Sequence, residues 1–141
     1  MKTSAPELKS LVLAGGTSTR VHADEATFHY HGEPQVRHQA RTLSQLTDMV
    51  FISIRRVQTA DVAFEGLRLL PDREENVGPL EGLLSAFSHA PFAAWLVVAV
   101  DMPCVTERTL QQLVGARDAS ARATAFRNPQ DGPPGTCPCD L

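Results

Sequence analysis

Short apolar runs alternate with longer amphipathic stretches along this chain. Leu11-Val12-Leu13-Ala14 is an apolar run that stops at Gly15-Gly16, the pattern of a fully buried strand entering a loop. Thr17 to Gly32 is polar, holds three histidines and shows no steady period, so a long loop is expected. Pro34 then opens a helix to about Leu46, with proline near its first turn and Leu43 and Leu46 in its apolar stripe. Val50 to Ile54 is the second strand. Leu67 to Leu70 is the third, stopped by Pro71-Asp72, and Val57 to Phe64 between them reads as a short helix or a turn. Pro79 to Ser88 carries Leu80, Leu83, Leu84 and Phe87 at helical spacing, which predicts a helix turning that face to the core. Ala94 to Val100 is almost continuously apolar, as in a strand covered on both faces. Thr106 is placed to cap a helix running to about Gly115, with Glu107 in its first turn. Ala121 to Phe126 reads as a fifth strand, and Asn128 to Leu141 is rich in Pro and Gly with no core element. The chain end after about Pro129 is therefore expected to be mobile.

Strands alternating with helices predict an α/β fold with a mostly parallel sheet. In such sheets ligands sit beyond the C-terminal ends of the strands. That rule selects Gly15-Gly16 after the first strand, Asp72 after the third and Asp101 after the fourth. Composition narrows the function. At 141 residues and 43% hydrophobic content the chain is one globular domain's worth. Thirteen basic and sixteen acidic side chains give a net charge of −3, which is no nucleic-acid footprint. No apolar run reaches the roughly 18 residues of a membrane span, and Met1 to Ser10 lacks a signal-peptide core, so a cytoplasmic protein with no membrane partner is expected. Cys104, Cys137 and Cys139 are an odd number in no disulfide framework. Cys137-Pro138-Cys139 has no second ligand pair at zinc spacing. The histidines His22, His29, His31 and His38 cluster in sequence without the convergence a metal site needs.

The chemistry concentrates in two places. In Leu13-Ala14-Gly15-Gly16-Thr17-Ser18-Thr19-Arg20, two glycines let backbone N–H groups approach a ligand, and phosphate is the natural partner of such a nest. Ser18 and Thr19 add hydroxyls, and Arg20 adds a planar fork that can grip phosphate. The loop lacks the Gly-Lys-Ser/Thr of a Walker A motif and is not a Gly-x-Gly-x-x-Gly fingerprint. A plain turn is the alternative. Asp101 ends the fourth strand on the ligand side and suits Mg²⁺, which takes one or two carboxylates together with water and phosphate oxygens. A turn aspartate is the alternative there, as it is for Asp72.

Four separated motifs together resemble the molybdenum cofactor guanylyltransferase (MobA-type) family. They are Leu13-Ala14-Gly15-Gly16-x-Ser18-x-Arg20 with Asp24 and Gly32-x-Pro34, then Pro71-Asp72, then Gly78-Pro79-Leu80-x-Gly82-Leu83-Leu84-Ser85-Ala86, and Asp101-Met102-Pro103. The resemblance covers about residues 8 to 126. It implies a Rossmann-like, three-layer nucleotidyltransferase fold, with residues 1–126 as a MobA-like NTP transferase domain and 127–141 as an irregular tail. It further implies transfer of GMP from GTP to molybdopterin with Mg²⁺ and release of pyrophosphate. Carried over by position, Leu13, Ala14 and Gly15 meet the nucleotide and Gly16, Thr17, Ser18, Thr19 and Arg20 wrap its phosphates. Ser53 and Asp72 contact the nucleotide, and Asp101 is the Mg²⁺ ligand. Arg20 and Asp101 are the expected catalytic residues.

The chain departs from the family's Arg-Met-Gly-x-Asp-Lys at Arg20-Val21-His22-Ala23-Asp24-Glu25. His22 stands where a flexible glycine is usual, and Glu25 where a lysine neutralises phosphate. The family also runs some fifty residues further, so the sheet is expected to be incomplete at its C-terminal side, with an open edge inviting self-association or a partner chain. Residues 135–141 do not follow the family pattern and read as a truncated or altered reading-frame end. The alternatives to a working guanylyltransferase are a vestigial nucleotide-binding domain, a fragment completed by a partner, or a related cytidylyl- or sugar-phosphate nucleotidyltransferase.

Overall fold

The computed structural model of the chain describes residues 5–16, 25–73 and 78–126. Its centre is a four-stranded sheet in the order β3-β2-β1-β4, with every neighbouring pair parallel. The strands are β1 (Leu8–Leu13), β2 (Val50–Ile54), β3 (Arg68–Pro71) and β4 (Ala94–Ala99). The first begins three residues earlier than its apolar run, because Leu8, Lys9 and Ser10 extend the ladder to Ala94, Trp95 and Leu96. Buried Ser10 is accommodated by the hydroxyl of Thr47 at 2.7 Å, which satisfies a polar group inside the core.

Three helices cover the sheet: α1 (Gln35–Ser44), α2 (Pro79–His89) and α3 (Glu107–Gly115). One face, with Val12, Ile52, Leu96 and Val98, packs on Val36, Ala40 and Leu43 of α1 and Leu110 of α3. The other, with Leu11, Phe51, Trp95 and Val97, packs on Ala86 and Leu83 of α2. Both faces of β4 thus meet apolar neighbours, as its continuous run predicts. Pro34 sits at the N-cap of α1, and Thr106 caps α3 by accepting from Thr109 N at 3.2 Å. The stretch 57–64 forms two single 3₁₀ turns, Arg56–Gln58 and Val62–Phe64.

Two expectations are corrected. The helix α2 does not turn its leucine stripe inward. Leu80, Leu84 and Phe87 are 56%, 48% and 50% exposed, while Glu81, Gly82, Ser85 and Ala86 are buried. Close approach to the sheet selects the small side: a Cβ on Gly82 would lie 2.7 Å from Leu13 Cδ2 and 3.0 Å from Ser53 Cβ. The second correction is the fifth strand. Residues 121–126 are irregular. A turn precedes them, in which Asp118 Oδ1 accepts from Ser120 N at 2.8 Å and Ser120 Oγ at 2.6 Å. Exposed Ala121, Arg122 and Ala123 have neither the β-branching nor the bulk that favours a strand. Beyond them Thr124 to Phe126 line a small cavity of about 140 Å³ against Val97, Val98 and Leu110. Among the described residues β4 is therefore an edge of the sheet.

Candidate functional site

The C-terminal ends of the strands form one row. Leu13 pairs in register with Ser53 on one side and Ala99 on the other. Ladder bonds continue past the strands: Ala14 N donates to Ser53 O at 2.9 Å, Val100 N to Leu13 O at 3.0 Å and Asp72 N to Ile54 O at 2.8 Å. Residues far apart in sequence are thereby locked side by side before any side chain acts.

At the β3 end of the row Ser53 Oγ donates to Asp72 Oδ1 at 3.2 Å. Burial pushes the Asp72 carboxyl above the usual carboxylate range. The Glu81 charge adds to that rise, while the Ser53 hydrogen bond and Arg55 oppose it. Gly15 lies beneath: a Cβ there would come within 3.2 Å of Asp72 Oδ2 and 3.5 Å of Arg55 N. The glycine keeps the space beside Asp72 open, which is the close-approach role the sequence assigns to it. Gly16 is exposed with open space around its Cβ position. Ala14 is fully buried, and its carbonyl accepts from Gln58 Nε2 at 3.1 Å while Gln58 Oε1 accepts from Arg55 N at 2.8 Å. This one buried amide ties the end of β1 to the end of β2. Glu81, also buried, accepts from Arg73 N at 3.1 Å and so fixes the chain just after Asp72.

Asp101 stands at the other end of the row, in the exposed turn after β4. No hydrogen bond or ion pair to another described residue involves its carboxylate. Asp72 follows β3 and Asp101 follows β4, the two outer strands of the row, whose backbones are three spacings or roughly 14 Å apart. A single exposed carboxylate with no partner among the described residues does fit Mg²⁺, which completes its shell with water and phosphate oxygens. Among the described residues no cluster of three or more His, Cys, Asp or Glu side chains is arranged for a metal.

The structure brings Leu13, Ala14, Gly15, Ser53 and Asp72 together and sets Asp101 apart on the same rim. Thr17, Ser18, Thr19 and Arg20 lie outside the described residues, as do His22, Asp24 and the pair Cys137 and Cys139. Glu25 contributes backbone to the 3₁₀ turn Glu25–Thr27, and its side chain is outside the description. Sequence reasoning missed Gln58, Glu81 and Gly82 as supports. Gly82 stood within a quoted motif, but only the packing reveals its purpose. It also missed the imidazoles of His31 and His38, which stack at 3.8 Å on the α1 side of the sheet. They border a cavity of about 470 Å³ with Arg41, Cys104 and Thr106. Burial holds His38 below its ordinary value, with His31 and Arg41 adding to that and Glu33 opposing it.

A parallel sheet with helices on both faces, and with glycine and carboxylates along its C-terminal rim, is a Rossmann-like α/β domain with its ligand side at the strand ends. Solved structures agree at the level of the fold. Molybdopterin-guanine dinucleotide biosynthesis protein A from Archaeoglobus fulgidus superposes with a TM-score of 0.60 at 23% identity, over 74% of this chain and 53% of that one. A nucleotidyl transferase from Methanothermobacter gives 0.67 at 20% identity, over 79% and 58%. Residues 10–138 match the MobA-like NTP transferase domain family, and the chain belongs to that family. It is 32% identical over 129 residues to a molybdenum cofactor guanylyltransferase of Pseudomonas putida, covering 90% of this chain and 67% of that protein. It is 33% identical over 131 residues to a molybdenum cofactor biosynthesis bifunctional protein of Synechocystis, covering 93% of this chain and 38% of that protein. The chain therefore spans between about two fifths and two thirds of the length of these two relatives.

Among the described residues no helix is long and apolar enough to cross a membrane.

Proposed function

We propose that the chain is the nucleotide-binding part of a Mg²⁺-dependent guanylyltransferase that moves GMP from GTP to molybdopterin and releases pyrophosphate. The observation that carries this reading is the division of the strand-end row. A half-buried carboxylate braced by Ser53 follows the outer strand β3, over a glycine that leaves room for a ligand, and an exposed carboxylate with no partner among the described residues follows β4 at the opposite side of the row. A nucleoside triphosphate has the same division, with a hydrogen-bonding base at one end and a metal-seeking triphosphate at the other. The names of the guanylyltransferase relatives favour GTP and molybdopterin.

In this reading Asp72 accepts from base N–H groups, and Ser53 keeps its carboxylate aimed. Leu13, held over buried Ala14, floors the sugar, Gly15 leaves the nucleotide room beside Asp72, and Gly16 offers its backbone N–H to the phosphates. Thr17, Ser18, Thr19 and Arg20 add donors there by their place in the motif. Asp101 would hold Mg²⁺, which when bound neutralises the triphosphate and polarises it toward attack. The attacking group is a phosphate oxygen of the acceptor, which bonds to the α-phosphorus as the bond to the pyrophosphate oxygen breaks. A second reading, nucleotide binding without transfer, is favoured by Glu25 in the place of the phosphate-neutralising lysine.

Calorimetry with GTP, CTP and ATP, each with and without Mg²⁺, tests both, followed by pyrophosphate release on adding molybdopterin. GTP-selective, Mg²⁺-enhanced binding is expected, and turnover separates the first reading from the second. Asp101→Asn should weaken the Mg²⁺-dependent part at least tenfold, since hydrogen bonds involving charged groups are worth roughly 1.5–3 kcal/mol. Absence of nucleotide binding, or unchanged Mg²⁺ dependence in Asp101→Asn, would sink the proposal.

A further inference from the structure

The turn that carries Asp101 is held from below by α1 and the segment leading into it. Gln39, on the sheet-facing side of α1, is 97% buried. Its Nε2 donates to Ala99 O at 2.9 Å and to Met102 O at 3.2 Å. Those two carbonyls bracket Asp101. Both partners are acceptors, so the orientation of the amide is settled by the geometry. Its Oε1 has no hydrogen-bond partner, so the residue leaves one polar atom unsatisfied while using both donors on this turn. Of the two glutamines on the buried face of α1, Gln35 and Gln39, Gln39 is the one whose amide donors are used, and a buried donor is costly to leave unpaired. From the neighbouring segment, His31 Nε2 donates to Pro103 O at 2.8 Å, and the His31 ring is stacked on His38 of α1. Three backbone carbonyls on the two sides of Asp101 are thus anchored to one helix and its approach.

We propose that Gln39, assisted by His31, is a positioning residue for Asp101, setting the turn so that its exposed carboxylate faces the triphosphate end of the nucleotide site. The inference rests on the reading of Asp101 as the metal-binding carboxylate. Its physical content is a population. An unanchored turn samples several conformers, only some of which direct the carboxylate to the site, and apparent affinity falls by the competent fraction. The Ser53–Asp72 end sits on different strands and does not depend on this anchor.

The test uses the whole chain with Mn²⁺ as the probe ion. Mn²⁺ affinity in saturating GTP is read by electron paramagnetic resonance, and GTP affinity in chelator is read by calorimetry. Gln39→Leu keeps the bulk and removes both donors. It should raise the Mn²⁺ dissociation constant about tenfold if the competent fraction drops to about a tenth, with metal-free GTP affinity unchanged. His31→Ala replaces an exposed side chain, where substitution is expected to leave the fold intact, and should give a smaller rise, about threefold on the same argument. It carries the test if Gln39→Leu does not fold. Asp101→Asn is the control. If the parent and Asp101→Asn bind Mn²⁺ alike, the metal role of Asp101 fails and the inference falls with it. If Asp101→Asn loses Mn²⁺ while both other variants keep it, the inference alone is overturned. It is also overturned if metal-free GTP binding weakens in step with Mn²⁺ binding, since that is the mark of a merely structural role.

Discussion

At the scale of single residues, Asp72 and Glu25 make opposite demands on charge. The folded-state pKa of Asp72 lies above its ordinary value of 3.8, chiefly because burial disfavours the carboxylate. Below that ordinary value both folded and unfolded chains hold the proton, so the group contributes nothing to stability. As pH rises from 3.8 through the raised folded value, the unfolded chain ionises first, and the folded state pays a penalty that is fully present above the folded value. Asp72→Asn should remove this loss: urea midpoints measured from pH 4 to pH 8 should fall less with pH in the variant than in the parent. Parallel pH profiles would show that Asp72 is not desolvated. The same substitution should weaken GTP binding, since a neutral amide accepts less strongly from base N–H groups than a carboxylate. Glu25 places a negative charge where the family resemblance puts a positive one. At about 4 Å and an effective dielectric near 20, one unit pair is worth roughly 4 kcal/mol before screening. Glu25→Lys reverses the sign, so even a heavily discounted effect should exceed the tenfold gain in GTP affinity that takes about 1.4 kcal/mol. The gain should shrink at higher salt. Equal affinities at low and moderate salt would mean that this side chain does not face the phosphates.

At the scale of elements, α2 shows how one helix can be judged correctly in extent and wrongly in orientation. Gly82→Ala should be destabilising although alanine is the better helix former. The propensity gain is about 1 kcal/mol, whereas overpacking costs about 1–3 kcal/mol. The Leu13 terminus can yield, but Ser53 Cβ is fixed to the backbone of β2 at 3.0 Å from the new methyl. A net loss on the order of 1 kcal/mol should lower Tm by about 4 °C. Metal-free GTP binding should also weaken, because displacing Ser53 releases Asp72. An unchanged Tm would mean that α2 can lift off the sheet at no cost. The strands β1, β2 and β4 and the helices α1 and α3 were legible in the sequence, because unbroken apolar runs, Pro34 and the Thr106 cap are local signals. So were the strand-end positions of Gly15, Asp72 and Asp101, since parallel topology alone selects them. The face of α2 was not legible. Leu80, Leu84 and Phe87 have the spacing of a buried stripe, and only the separation of helix and sheet shows that glycine, serine and alanine must go inward instead. Nor was Gln39, because a glutamine in a helix reads as a solvent-facing residue until the carbonyls above it are in place. The failed fifth strand had apolar content but no partner strand, a non-local requirement that residues 121–126 do not display.

At the scale of the whole molecule, two surfaces are uncovered among the described residues, the outward stripe of α2 and the sheet edge at β4. Leu80, Leu84 and Phe87 lie on one helical face, and Phe92 beyond the helix is 91% exposed. The double substitution Leu84→Glu and Phe87→Ser should reduce self-association of the chain in sedimentation velocity. Stability should change by no more than about 0.5 kcal/mol for each, as expected of surface positions. A parent that stays monomeric at high concentration, or a variant that unfolds, would contradict this assignment of the face.

The place of β1 in the sheet has a consequence for synthesis. Leu8 of β1 pairs with Ala94 of β4, 86 residues later in the chain. At about 5–20 residues per second, the ribosome needs roughly 4–17 s to make that partner after β1 itself. For that interval one edge of β1 has no ladder to join, and unpaired edges seek other chains. Slow codons placed shortly before position 94 should therefore depress soluble yield more than the same codons placed after β4, and holding chaperones should relieve the difference.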